Sequence, residues 1–147
     1  MNTAANMIGV KPGARVLYTA RVHTTGSRDG GISKSDDGHL DVRHALPGTG
    51  KGTNPEQLFA AGWSACFEGA LLTAAHKSKV KLPPEMAIDA EVDLRLGEDG
   101  YSLEARMNVS LPGLPRDVAQ VLVAEAETIC PYSKAVKGNV KATFNLI

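Results

Sequence analysis

The 147 residues carry 16 Lys+Arg against 16 Asp+Glu, with 43% apolar and 22% charged side chains; against a prior of about 150 residues per domain this is one compact domain, residues 1–147. A formal net charge of zero with no basic block argues against a duplex-binding protein, whose affinity comes from cations that displace phosphate counterions. The composition is that of a chain able to bury a core rather than a disordered one.

The opening Met1-Asn2-Thr3-Ala4-Ala5-Asn6-Met7 has neither the basic start nor the apolar run of a secretory leader, so the expected location is the cytoplasm. Val16, Tyr18, Ala20 and Val22 alternate with Leu17, Thr19 and Arg21, the pattern of a two-faced strand. The turn-rich stretch Thr24-Thr25-Gly26-Ser27-Arg28-Asp29-Gly30-Gly31 then leads to two short strands, Ile32 to Ser35 and Leu40 to His44, parted by Asp36-Asp37-Gly38. Together they read as an antiparallel meander. Pro47-Gly48-Thr49-Gly50-Lys51-Gly52 is a phosphate-loop look-alike that fails, because Ala45 stands at the first glycine position and Gly52 where a hydroxyl is needed.

Asn54 as cap, Pro55 in the first turn and Gln57 at the capping-box position start a helix that the pattern carries to about Lys77. Ala60, Ala61, Gly62, Ser64, Ala65, Gly69 and Ala70 fill it with small residues, and Glu68 is its only strongly polar central position. Such a helix is expected to be central, buried and closely approached, and its 18-residue apolar stretch from Leu58 to Ala75, interrupted by Ser64, Glu68 and Thr73, reads as core rather than as a membrane span. Ile88, Ala90, Val92, Leu94 and Leu96 alternate with Asp89, Glu91, Asp93 and Arg95; Glu98-Asp99-Gly100 turns the chain, and Leu103 to Leu111 repeat the alternation as the second arm of a hairpin. A second helix starts at Pro115-Arg116-Asp117 and stops at Cys130, where Pro131 disfavours helical geometry; Tyr132 to Val136 form a further turn, and Val140, Ala142, Phe144 and Leu146 alternate as a closing strand. The order implies an α+β fold in which antiparallel sheets cover central helices.

The two cysteines, Cys66 and Cys130, stand 64 positions apart with no Cys-x-x-Cys, which excludes a thioredoxin-type site. Cys66 in the middle of an apolar helix is either a small buried hydrophobe or a nucleophile; burial raises a thiol's pKa, so reactivity requires a cation or hydrogen-bond donors to stabilise the thiolate. Arg28 and Lys51 are the candidate cations near glycine-rich turns. Cys130, beside its proline break, is either a core contact or a resolving thiol that condenses with a sulfenic acid. His23, His39, His44 and His76 show no metal-ligand spacing, and no Gly-x-Ser-x-Gly elbow is present, so neither a metal centre nor a serine hydrolase is expected.

The run Thr53-Asn54-Pro55-Glu56-Gln57-Leu58-Phe59-Ala60-Ala61-Gly62-Trp63-Ser64-Ala65-Cys66-Phe67, the later Cys130-Pro131-Tyr132-Ser133 and the turn Thr25-Gly26-Ser27-Arg28-Asp29-Gly30 resemble, in order, three motifs of the organic hydroperoxide resistance proteins of the OsmC/Ohr superfamily. The resemblance implies an intertwined homodimer and a cytoplasmic thiol peroxidase that acts on organic hydroperoxides without a cofactor and is reduced by a dithiol such as a lipoylated protein. It implies Cys66 as the peroxidatic and Cys130 as the resolving cysteine, Arg28 as the activating cation and Glu56 as the carboxylate that orients it. Phe59, Trp63, Phe67 and Met107 become candidate walls of an apolar substrate pocket. Ser27 stands where the family usually has glycine, Gly31-Ile32 where a second arginine is common, and Trp63 where tyrosine is more usual. The osmotically inducible branch of the superfamily, or a redox sensor using the same disulfide, are the competing readings. In an unbroken helix Glu56 and Cys66 lie about 15 Å apart along the axis and some 80° around it, which leads to the expectation that each site joins Cys66 and Cys130 of one subunit to Arg28 and Glu56 of the other.

Overall fold

A computed structural model describes residues 13–147; the opening, residues 1–7, on which the expected cytoplasmic location rests, lies outside the described residues. The elements are β1 (Val22–Thr25), β2 (Ile32–Ser35), β3 (Asp41–Arg43), α1 (Pro55–Lys77), β4 (Ala87–Gly97), β5 (Gly100–Ser110), α2 (Arg116–Ile129), α3 (Pro131–Val136) and β6 (Lys141–Leu146). This is the α+β order read from the sequence, arranged as two three-stranded sheets, β1-β2-β3 and β4-β5-β6.

The helix α1 begins where its cap dictates. Asn54 is extended and its side chain accepts the Gln57 backbone N–H at 2.9 Å, while Pro55 occupies the first turn, where it has no N–H to leave unpaired. Gln57 completes only half of the expected capping box: its side-chain oxygen accepts from the Thr53 hydroxyl at 2.7 Å. One flank of α1, through Trp63, Phe67, Ala70, Leu71, Ala74 and Ala75, is buried and packs against α2 and β4. The opposite flank is not buried, contrary to the sequence expectation: Ala61, Ala65, Gly69, Leu72 and Thr73 are exposed. A helix apolar around its circumference yet packed on one side within the chain has an uncovered apolar face.

β4 and β5 pair antiparallel along their full length, Ala87 opposite Ser110 and Gly97 opposite Gly100. Ala105, Met107 and Val109 point into the core with Leu122, Val123, Ala126 and Cys130. β6 joins β5 in parallel, Glu104 beside Lys141 and Val109 beside Leu146, so the second sheet is mixed where the sequence reading had antiparallel sheets. The physical reason is the connection: α2 and α3 carry the chain back to the end of the sheet at which β5 began, as a parallel crossover requires.

The first sheet differs in standing. The strand expected over Val16–Val22 starts only at Val22, and Val16, Leu17 and Tyr18 are 80, 83 and 76% exposed. Alternation gives a segment two faces but not a neighbour, and no strand among the described residues pairs with it. The β1-β2-β3 meander itself packs little on the helices or on the second sheet. It is held through the segment after β3, where His44 bridges Thr53, and through the Arg28 turn.

On the solvent face of the second sheet, Arg106 donates to both Asp93 oxygens at 2.8 and 2.9 Å and to Glu91 at 3.1 Å. Hydrogen bonds from Arg106 hold the Glu91 and Asp93 carboxyls below their usual range. The unfolded chain therefore takes up more protons than the folded one as the pH falls through the ordinary carboxylate range near about 4, so stability is lost on acidification. Arg106→Met is expected to flatten that loss, read as thermal midpoints in an acid titration.

Candidate active site

Arg28 sits at the tip of the turn between β1 and β2, and the backbone there leaves few sequence choices. Gly26 and Gly30 have φ of +77° and +84°, and Ser27 itself adopts φ +67°, a left-handed conformation that glycine takes without cost. At Gly31 a Cβ would collide with the Ser27 and Thr25 carbonyl oxygens. The Ser27 strain is consistent with glycine being usual at that position in the resembling family. The turn directs Arg28 onto the start of α1, where its Nη2 donates to both Glu56 oxygens, at 2.9 and 2.7 Å. Glu56 is in the first helical turn, where the dipole favours a carboxylate. Beside the pair lies a largely apolar cavity of about 700 Å³ lined by Arg28, Glu56, Leu46, Val92, Leu94 and Tyr101.

Cys66 lies further along α1 and is half-buried; Cys130 is buried at the break between α2 and α3, and both are free thiols. Cys130 is extended, with φ −62° and ψ 118°, because Pro131 follows it. Its N–H still closes α2 onto the Ala126 carbonyl at 2.8 Å, and its carbonyl accepts the Lys134 N–H at 3.0 Å as α3 begins. Cys66 packs against the buried cluster that contains Cys130. Burial pushes the Cys66 thiol up; a hydrogen bond from the Tyr132 backbone N–H pulls it down, and the neighbouring Cys130 thiol pushes it up again. No cation among the described residues is one of these influences. The thiol therefore has its partner and one donor, and lacks the positive charge that the sequence argument requires.

The chain thus forms two half-sites, Arg28 with Glu56 and Cys66 with Cys130. The Tyr132 N–H was not identified from the sequence, although a proline opening a helix leaves the first amides without helical acceptors and is the signal that points to it.

Of the four expected pocket walls, Phe67 and Met107 are fully buried in the core and Phe67 stacks on Phe144 at 4.8 Å between ring centroids. Trp63 is also fully buried; its Nε1–H donates to the buried Ser133 hydroxyl at 2.9 Å, tying α1 to α3. Phe59 is half-buried, edge-on to Trp63 and to Tyr132. Gly62 admits the Tyr132 ring, since a Cβ there would meet its hydroxyl at 3.0 Å. Trp63→Phe is expected to lower stability by about 2 kcal/mol, through lost ring volume and an unsatisfied Ser133 hydroxyl; a chemical-denaturation midpoint measures it.

An α+β chain with one thiol midway along a long helix, a second at the break between two others, and an Arg–Glu pair at the start of the long helix defines a class of small dithiol proteins. A family model described as OsmC-like protein matches residues 48–145, and the chain belongs to that family. Among its relatives, the organic hydroperoxide resistance protein of Xanthomonas axonopodis pv. citri is 42% identical over 136 residues, covering 90% of this chain and 96% of that one. The organic hydroperoxide resistance protein OhrB of Bacillus subtilis is 43% identical over 136 residues, covering 88% of this chain and 98% of its own. The crystal structure of OhrB superposes with a TM-score of 0.84 at 40% identity, covering 90% of this chain and all of that one (100%).

Proposed function

We propose that this protein takes part in organic hydroperoxide resistance as a cysteine-dependent peroxidase, converting organic hydroperoxides to alcohols. The observation that carries this reading is the packing of Cys66 against the core cluster that holds Cys130, 64 positions away in sequence, with the Cys130 thiol near enough to influence that of Cys66. The Cys66 thiolate attacks the distal peroxide oxygen; the O–O bond breaks, the alkoxide leaves and takes a proton, and Cys66 becomes a sulfenic acid. The Cys130 sulfur displaces the sulfenic hydroxyl as water and forms the Cys66–Cys130 disulfide. An external dithiol, such as the lipoyl group of a lipoylated protein, reduces that disulfide to two thiols and is itself oxidised to a disulfide. A dithiol pool fits the cytoplasmic location expected from the sequence.

The working form is a homodimer in which Arg28 and Glu56 of one copy complete the Cys66–Cys130 half-site of the other. Three features support this: the thiol has no cation among the described residues to influence it, the apolar face of α1 is uncovered at Ala61, Ala65 and Gly69, and the cavity beside Arg28 is lined by the exposed Leu94 and Tyr101. In that arrangement the apolar wall of the Arg28 cavity and the half-buried Phe59 face the substrate's organic group, while Trp63, Phe67 and Met107 support the wall from behind.

Reduced protein mixed with excess tert-butyl hydroperoxide, or separately hydrogen peroxide, plus a dithiol tests the proposal. Many turnovers of the organic peroxide, lost in Cys66→Ser, are expected. Oxidation that stops after one equivalent would instead make the disulfide a sensor's switch.

A further inference from the structure

Two polar side chains, Ser33 and His44, are buried in the otherwise exposed first sheet, at 6 and 5% exposure. The Ser33 hydroxyl lies 2.6 Å from His44 Nε2 and 2.7 Å from the Thr24 hydroxyl, so one line of hydrogen bonds crosses all three strands. Thr24 and Ser33 are register partners on β1 and β2, and His44 directly follows β3. His44 Nδ1 is buried with no hydrogen-bond partner among the described residues. The tautomer that avoids an orphaned buried N–H carries its proton on Nε2, donating to Ser33, which donates in turn to Thr24. Three apolar side chains would fill this space without any need for satisfied partners; a polar line fixes direction and register as well.

The main chain of His44 lies where that register counts. Its N–H donates to the Gly31 carbonyl and its carbonyl accepts the Gly30 N–H, each at 2.8 Å, on the side of the Arg28 turn. On its other side it bridges Thr53, the residue before the α1 cap; the Ala45 N–H donates to the Thr53 carbonyl at 2.8 Å and the Thr53 N–H to the Arg43 carbonyl at 2.9 Å. His44 therefore stands between the two segments that carry Arg28 and Glu56. We infer that His44, locked through Ser33 to Thr24, is a positioning residue that sets the Arg28 turn against the start of α1 and so holds the Arg28–Glu56 pair in register. Ser27, in its left-handed conformation, gives the turn a reason to relax once that lock is cut.

The inference rests on the proposed role of Arg28 toward Cys66, and the test separates the two. Full-length wild type, His44→Leu, His44→Gln and Arg28→Ala are compared in a Cys130→Ser background, so that Cys66 is the only thiol read. Side-chain NMR signals of the Arg28 guanidinium, identified by their absence in Arg28→Ala, are expected to show restricted rotation in wild type and averaging in His44→Leu. His44→Gln, which offers an amide N–H near the position of Nε2, is expected to restore the restriction. Alkylation of Cys66 at neutral pH is expected to slow about tenfold in His44→Leu, as displacement of thiol ionisation by one pH unit would produce, and His44→Leu is expected to add no slowing to that of Arg28→Ala.

Slow alkylation in Arg28→Ala, together with wild-type signals and rates in His44→Leu, would overturn the inference and leave the proposed function standing. Equal slowing by His44→Leu with and without Arg28 would also overturn it, because His44 would then act by another route. Averaged Arg28 signals in His44→Leu, with alkylation unaffected by Arg28→Ala, would uphold the positioning role and remove the proposed role of Arg28. Should His44→Leu not fold, Ser33→Val cuts the same line at its middle and carries the same expectations.

Discussion

Replacing Arg28 by alanine is expected to slow oxidation of Cys66 by an organic hydroperoxide about a hundredfold and to move the pH dependence of Cys66 alkylation to higher pH. Burial and the Cys130 thiol both push Cys66 up, and among the described residues only the Tyr132 N–H opposes them. A guanidinium about 4 Å from a thiolate, at the effective dielectric of a partly buried site, contributes about 4 kcal/mol, and each 1.4 kcal/mol is roughly tenfold in the thiolate population. Part of that is screened, because the Arg28 side chain is 41% exposed, which brings the expected loss to about two orders of magnitude. The sign follows from the acid: removing a cation disfavours the thiolate, so less of it is present at neutral pH and the lost rate returns as the pH rises. Arg28→Lys keeps the charge but places it on a shorter, compact ammonium in place of the Nη2 that contacts both Glu56 oxygens, and is expected to fall between. Rapid-mixing oxidation and alkylation across pH measure both effects. An alkylation curve unchanged in Arg28→Ala would take Arg28 out of the site.

The sequence was most informative where local chemistry decides the structure. Asn54 and Pro55 mark the start of α1 because a cap and a missing N–H act within one turn. The β4–β5 hairpin follows from Glu98-Asp99-Gly100, with Gly100 at φ +96°, between two alternating runs. Cys130 falls at a helix break because Pro131 constrains it. Where the deciding interaction is between distant segments, less was legible. Alternation at Val140 to Leu146 carries no direction, so the parallel pairing of β6 appears only with the α2–α3 crossover. Alternation at Val16 to Val22 identifies two faces, yet no strand among the described residues pairs with the segment. The approach of Cys66 to Cys130 depends on α1, α2 and α3 packing together, and the stabilising Tyr132 donor is a backbone group with no side-chain signature. His44 occupies a position that a period-two pattern treats as one more strand residue, and only its burial beside Ser33 distinguishes it.

Mixing two inactive variants is expected to restore activity if each site is shared between copies. A Cys66→Ser subunit retains Arg28 and Glu56, whereas an Arg28→Ala subunit retains Cys66 and Cys130. In a two-fold dimer of one with the other, one site receives both intact halves and the second receives both damaged ones. Equal amounts, exchanged to equilibrium, give mixed dimers as about half of the population with one working site in two, so peroxide turnover is expected near a quarter of the wild-type rate. If Arg28 served the Cys66 of its own chain, every site in the mixture would carry a lesion and no activity would return. The positions within one chain favour the first outcome: Arg28 is bonded to Glu56 in the first turn of α1, and Cys66 stands ten residues further along that straight helix, about 15 Å away along its axis. A guanidinium anchored at one end cannot span that distance and also touch the thiolate. A charge on the uncovered helix face supplies the matching control, since Ala65→Glu in both variants places like carboxylates where two copies of α1 would meet. It is expected to leave monomers by sedimentation and to prevent the mixture from recovering, whereas recovery in spite of monomers would exclude the shared site.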